Sequence, residues 1–376
     1  MTYPSRLRPH TSGARSGDSR AESGGILEAA KARVGKLDDR REAKAMSNPL
    51  DIEQLLQNEL QARMAYGRAK RSGIRGVALL GPLLGWGLAR ADRSRLLRAV
   101  NLFFFHYGTV MAAGAAYMMF FSVVALLWAG FSVAGIVIGG NPEYQNLIIE
   151  AVQNVVPGVV GEGGLITEGA ARELFDVAGL NLSLALAVAV ALVTSLSWLH
   201  GLRSGIRSIW ERPLMAENVV VVKAKDFAML ILLGVVAVSS AVLGFVFSTG
   251  VIREGLALLG WEIGGVAGAL AGIASLIISF VLDMMIAVIL MRLASRLVMP
   301  VSALWQSALI AGIGASLLRL GSTTLLGSFA DSPNVVLQSF GTVLGVFFYF
   351  FLFGLVYLFA ASWGAVAAAE HARRNR

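Results

Sequence analysis

Between Ala99 and Pro142 the chain runs 44 residues without a formal charge. As a single α-helix this stretch would extend roughly 66 Å, about twice the hydrocarbon thickness of a bilayer. It cannot face water, and it cannot cross a membrane once without a break. The sequence therefore predicts an in-plane or half-inserted piece at Asn101 to Ala113 and a first span at about Ala115 to Gly139. Five further apolar runs are long enough to span: Leu182 to Leu202, Phe227 to Thr249, Gly264 to Met291, Ala308 to Phe329, and Thr342 to Ala365.

The charges missing from these runs are gathered elsewhere. Only 15% of the chain is charged, against roughly 25% for a soluble domain, and 29 of the 56 charged side chains lie in the first 98 residues. That gradient predicts a basic N-terminal arm (1–98), a membrane body (99–369) and a short tail (370–376), and it excludes a soluble enzyme. Cysteine is absent, which removes disulfides, thiolate nucleophiles and cysteine metal sites together.

The loops set an orientation. The arm holds 19 Lys and Arg, the loop from Arg203 to Asp226 holds 5, that from Arg292 to Gln306 holds 2, and the tail holds 3. The alternate loops carry Arg172 and Arg253 alone. Positive charge stays cytoplasmic, so both termini are expected inside, and six spans is the parity that keeps the pattern. Trp210, Trp305 and Trp363 fall at the inner ends and Trp261 at the outer, as an interfacial aromatic belt would.

Within the arm, residues 1–25 are polar and Gly-rich and are expected to be disordered. Leu27, Ala30, Val34 and Leu37 suit a short amphipathic helix. Asn48-Pro49 followed by Asp51 and Glu53 marks a helix start, with Ile52, Leu55, Leu56, Leu60 and Met64 on one face. That helix either lies on the membrane surface or packs against the body. Gly76 to Ala89 is apolar but too short to span, and Pro82 interrupts it, so an interfacial or re-entrant piece is expected. Outside, Asn141 to Asn181 carries six acids, an amphipathic stretch from Tyr144 to Val155 and a capped helix starting near Thr167-Glu168. It is long enough for a small helical cap.

Three stretches carry a family resemblance. Gly114 to Leu127 reads GAAYMMFFSVVALL, Ser195 to Pro213 reads SLSWLHGLRSGIRSIWERP ahead of NVVVVKAKDFAMLILLG, and Gly341 to Ala369 is an aromatic run closing in small residues. The first resembles the AYY-x-x-FS-x-x-P opening of the YihY/virulence factor BrkB family. The second resembles that family's YhjD-like branch, and the third its last span. The chain departs at Ala125, where the family usually has Pro, so a kink there is not expected. The resemblance implies a six-span bacterial cytoplasmic-membrane protein, with transport of a lipid or envelope component as its suspected activity. A ribonuclease label also attaches to the family.

Asp283 and Arg319 are the ionisable groups inside apolar spans. Such groups are costly there and usually face a protein interior or water. Ser275, Ser279 and Asp283 continue a small-residue stripe from Gly264, Gly268 and Gly272. Those glycines read best as a helix-packing face. Gly312, Ser316, Arg319 and Thr323 form a comparable stripe on the next span, with Arg319 at a depth similar to that of Asp283. Asp283 and Arg319 either pair with each other or serve an anionic substrate group. His200, Arg203 and Arg207, at the inner end of the second span, are candidate head-group contacts or ordinary positive flanking residues.

The expected protein is an all-α polytopic membrane protein with six transmembrane helices, interfacial N-terminal helices and a small helical outer cap. Its expected role is transport of a lipid or other amphipathic anion, or else that of a non-transporting scaffold for envelope assembly. Expected partners are membrane lipids, anionic head groups foremost, and a second copy of the chain, with no specific nucleic acid. No cofactor, metal or catalytic residue is expected. Glu211, Glu217 and Asp226 lack the clustering that a nuclease needs to hold metals.

Overall fold

The computed structural model describes residues 47–73, 76–138, 141–155, 160, 166–175, 182–213, 219–246, 265–330 and 335–375. The expected disorder of 1–25, the helix at 26–45, Gly264 and Trp261 lie outside them. Among the described residues there are eleven α-helices, one π-helical turn and no strand, only an isolated bridge between Val160 and Ile166.

The N-terminal helices are α1 (Ile52–Arg71), α2 (Val77–Ala91) and α3 (Arg95–Phe105). The cap of α1 is Asp51, whose carboxylate accepts from the Gln54 amide. Asn48 instead closes the preceding turn, accepting from the Leu50 amide, so the helix starts three residues later than Asn48-Pro49 suggests. Helix α2 runs through Pro82 without interruption. Its 15 residues remain too short to span, and Val77, Leu80, Leu83, Leu84 and Leu88 are exposed. It packs on α1, where Trp86 stacks on Tyr66 at 5.7 Å.

The charge-free run breaks earlier than expected. Helix α3 ends at Phe105, Tyr107 takes a left-handed φ of 53°, and α4 (Gly108–Ile138) starts at once. A Cβ at residue 108 would overlap the Phe103 ring, so only glycine lets the chain turn this tightly. The short helix ahead of the first span is therefore α3 rather than Asn101 to Ala113, and the first apolar helix long enough to span begins at Gly108. Two short helices follow at the far end, α5 (Pro142–Val155) and α6 (Glu168–Phe175). Thr167 caps α6 by accepting from the Ala170 amide.

The remaining helices are α7 (Leu182–Ile209), α8 (Val219–Val246), α9 (Gly265–Val288, prolonged by the π turn Ile289–Ala294), α10 (Val301–Ala330) and α11 (Val335–Arg374). Helices α4, α7, α9 with its π turn, α10 and α11 are long and apolar enough to cross a membrane. The expected third span coincides with α8 as far as Val246, and 247–249 lie outside the described residues. Several helices outlast the runs that predicted them. The apolar run fixes only the part in hydrocarbon, whereas hydrogen bonding carries the helix on into the interface.

Small residues set the packing. Ala125 and Ala129 of α4 meet Ala187 and Ala191 of α7, and α4 is continuous through Ala125. Gly205 faces Leu358, Gly314 faces Val356, and Gly354 sits against the Ala112 backbone, where a Cβ would stand a tight 3.1 Å away. Close approach of this kind is how helices associate in lipid, where burial of apolar surface gives little preference. The core so formed joins α3, α7, α9, α10 and α11 around Leu199, Ile206, Leu290, Tyr357 and Leu358.

Candidate functional site

Helices α9 and α10 cross beside Gly312. A Cβ built there would stand 2.7 Å from Cγ of Met284 and 3.1 Å from the Phe280 ring. This close crossing lets Arg319, two turns further along α10, reach the helix opposite. Its Nη2 donates to Oδ1 of Asp283 at 2.6 Å. The aspartate is buried at 4% exposure, while the arginine side chain keeps 36%. Oδ2 of Asp283 is buried without a hydrogen-bond partner among the described residues.

Ser316, one turn before Arg319, lies against the carboxylate. Tyr349 and Tyr357 of α11 stand within electrostatic reach of both charges. The exposed side of Arg319 opens on a groove of about 280 Å³ lined by Leu276, Ile277, Ser279, Phe280, Ser316 and Leu320. The arrangement is a half-open ion pair: the carboxylate is enclosed and the guanidinium is accessible from one side. A guanidinium has five N–H donors, so Arg319 can meet a second anion without releasing Asp283.

Asp283, Arg319, Ser279 and Ser316 are thus brought together. Gly268, Gly272, Ser275 and Thr323 lie on α9 and α10, their side chains outside the described set. Tyr349 and Tyr357 carry no site signal in the sequence, and Gly312 appears there only as a small residue on the Arg319 stripe, with nothing to mark it as the point of closest approach. The tyrosines stand among eight aromatics from Phe347 to Phe359.

The second candidate group looks inward. Arg203 pairs through Nη1 with Asp226 of α8 and through Nη2 with Nδ1 of His200 at 2.8 Å. Arg207 donates to the carbonyls of Pro213 and Ser295, the latter at 2.9 Å. Both arginines are only 7% exposed. Of the three expected head-group contacts, His200 is the exposed one. Around them the loops of one bundle end are tied together. Asn48 donates to Glu211 at 2.6 Å, Trp210 donates to the Ala361 carbonyl at 3.1 Å, and Trp363 donates to Gln306 at 3.2 Å. These are the loops in which the basic residues concentrate. Among the described residues no group of three His, Asp or Glu is placed to hold a metal ion.

The family described as Virulence factor BrkB matches this chain over residues 103–376. Inner membrane protein YhjD of Escherichia coli (strain K12) is 28% identical over 287 residues, which cover 74% of this chain and 81% of that protein. An uncharacterized protein of Dickeya dadantii (strain 3937) is 27% identical over 285 residues, covering 73% and 83% respectively. No solved structure matches.

Proposed function

The chain is a multi-pass inner-membrane protein of the virulence factor BrkB family, and from that premise we propose that it moves a lipid or other amphipathic anion, whose charged end meets Arg319. The observation that carries this reading is the accessible side of the ion pair. A charge retained inside a membrane is costly, and a purely structural pair would be expected to close on both partners. Here the guanidinium opens on a groove lined mostly by apolar side chains, a surface suited to an anionic group with an alkyl chain attached. No nucleotide-binding motif occurs in the sequence, so the proposed energy source is an ion gradient, a lipid gradient or a partner.

The test is the double variant Asp283→Ala with Arg319→Leu, reconstituted in proteoliposomes and assayed for movement of a labelled anionic phospholipid between leaflets. This variant leaves no orphan charge, so it is expected to fold. Transport by the wild type and its loss in the folded double variant support the reading. Undiminished transport by the double variant overturns it. A wild type that moves no lipid, in a bundle that stays intact, leaves the scaffold for envelope assembly as the better account.

A further inference from the structure

A second cluster of arginines lies far along the chain from the ion pair. Helix α3 supplies Arg98, the turn before it supplies Arg93, and the last turn of α11 supplies Arg373 and Arg374. Together with Glu370 they line a cleft of about 390 Å³ floored by Ile52 and Leu55 of α1. Four cations and one carboxylate therefore face a single space.

Part of this charge is already matched. Arg93 pairs with Glu59 of α1. Arg98 donates through Nε to the Pro49 carbonyl at 2.9 Å and through Nη1 to Glu370 at 3.0 Å, while Arg95 takes the other Glu370 oxygen at 2.6 Å. Two features are left over. Nη2 of Arg98 is buried with no hydrogen-bond partner among the described residues, on a side chain only 3% exposed. Among the described residues neither Arg373 nor Arg374 has a carboxylate partner, and Arg373 adds its repulsion to that of Arg95 at Arg98. Burial is the larger influence and pushes the Arg98 guanidinium below its ordinary value, with Glu370 opposing.

We propose that this cleft is a binding site for a phosphate group, met by Arg373 and Arg374 and by Nη2 of Arg98, the one guanidinium nitrogen that Pro49 and Glu370 leave over. An unpaired buried donor costs free energy that an acceptor would recover. Phosphate oxygens are strong acceptors for guanidinium N–H groups, and Nη2 of Arg98 is the donor that Pro49 and Glu370 leave unused. The apolar floor beside the arginines suits the glycerol and first methylenes of a phospholipid, but the shared chemistry is the phosphate. The site does not rest on transport through the Arg319 groove. It is built from other helices, and its occupation requires nothing to cross the membrane.

The experiment uses the full chain in phosphatidylcholine nanodiscs, alone, with added phosphatidic acid in the bilayer, or with inorganic phosphate in the buffer. Retained lipid is read by native mass spectrometry and stabilisation by thermal unfolding. Arg98 also holds Pro49 and Glu370 together, so the working variant is Arg373→Gln with Arg374→Gln at the helix end. Arg63→Gln with Arg68→Gln, on exposed positions of α1, removes the same charge elsewhere. The expected result is that the tail variant binds about tenfold more weakly, as for loss of a hydrogen bond to a charged group, while the control is unchanged. An effect with phosphatidic acid but not with inorganic phosphate assigns a lipid headgroup, and an effect with both assigns a free phosphate site. Equal losses in the two variants, or no binding by the wild type, overturn the proposal and leave Nη2 to a buried water.

Discussion

Arg203 and Arg319 both stand on apolar helices, and each pairs with an aspartate of a neighbouring helix. Both aspartates are buried, and each has one oxygen unpartnered among the described residues. The arginines differ. Arg203 is 7% exposed and bonded to two side chains, whereas Arg319 is 36% exposed and opens on a groove. The first pair sits where loops must be fastened to one another. The second sits where the close approach at Gly312 already brings the two helices together. The same two residue types thus act as a closed fastening in one place and leave a donor accessible in the other.

The comparison can be broken first at its closed end. Arg203→Ala strands Asp226, whose side chain is 2% exposed. Removing one partner of a fully buried pair costs about 3–5 kcal/mol, so a large fall in the denaturation midpoint in detergent is expected. A loss below about 1 kcal/mol would show that the site is wet and that the two pairs do not differ in kind.

The next effect tests what brings the open pair together. Gly312→Val places a branched side chain against Met284 and Phe280, and overpacking of this sort costs about 1–3 kcal/mol. If Gly312 sets the crossing, the Asp283–Arg319 coupling measured by a double-mutant cycle should also fall when the cycle is repeated in the Gly312→Val background. Unchanged coupling would separate the crossing from the pair.

Asp283→Ala should cost less than Arg203→Ala. Because Arg319 is more than a third exposed, solvent and lipid head groups screen its loss of a partner, and about 1–2 kcal/mol is expected. Adding Arg319→Leu should recover much of this, since no orphan charge remains. Strictly additive losses for the two single changes would mean that the contact carries no coupling.

The legibility of these features in the sequence follows from what each depends on. The spans were readable because a bilayer imposes a length on any charge-free run. Their ends were less so, because residues such as Tyr107, Glu211 and Arg296 stop helices in left-handed conformations, which no hydropathy pattern records. Asp283 and Arg319 were visible as charges in apolar surroundings, and their matching depth suggested contact. Arg203 and Asp226 were hidden among the flanking charges of a basic loop, where composition gives no reason to choose one pairing. Arg98 and Glu370 are 272 residues apart, and only the completed fold places the start of the body beside its last helix.

The smallest expected effect concerns a polar contact that carries no charge. The hydroxyls of Ser122 in α4 and Ser195 in α7 meet at 2.6 Å, both buried. Hydrogen bonds between membrane helices average about 0.6 kcal/mol, because the separated helices find other partners. Serine has such a partner at hand in the carbonyl one turn back, as Ser197 and Ser204 show with Val193 and His200 of their own helix. Ser122→Ala should therefore lower stability by about 0.6 kcal/mol, with Ser195 turning back onto its own helix. The double change with Ser195→Ala should add little more. A loss approaching that of Arg203→Ala would mean that Ser195 cannot turn, and that uncharged contacts between α4 and α7 constrain the bundle as strongly as its enclosed ion pair.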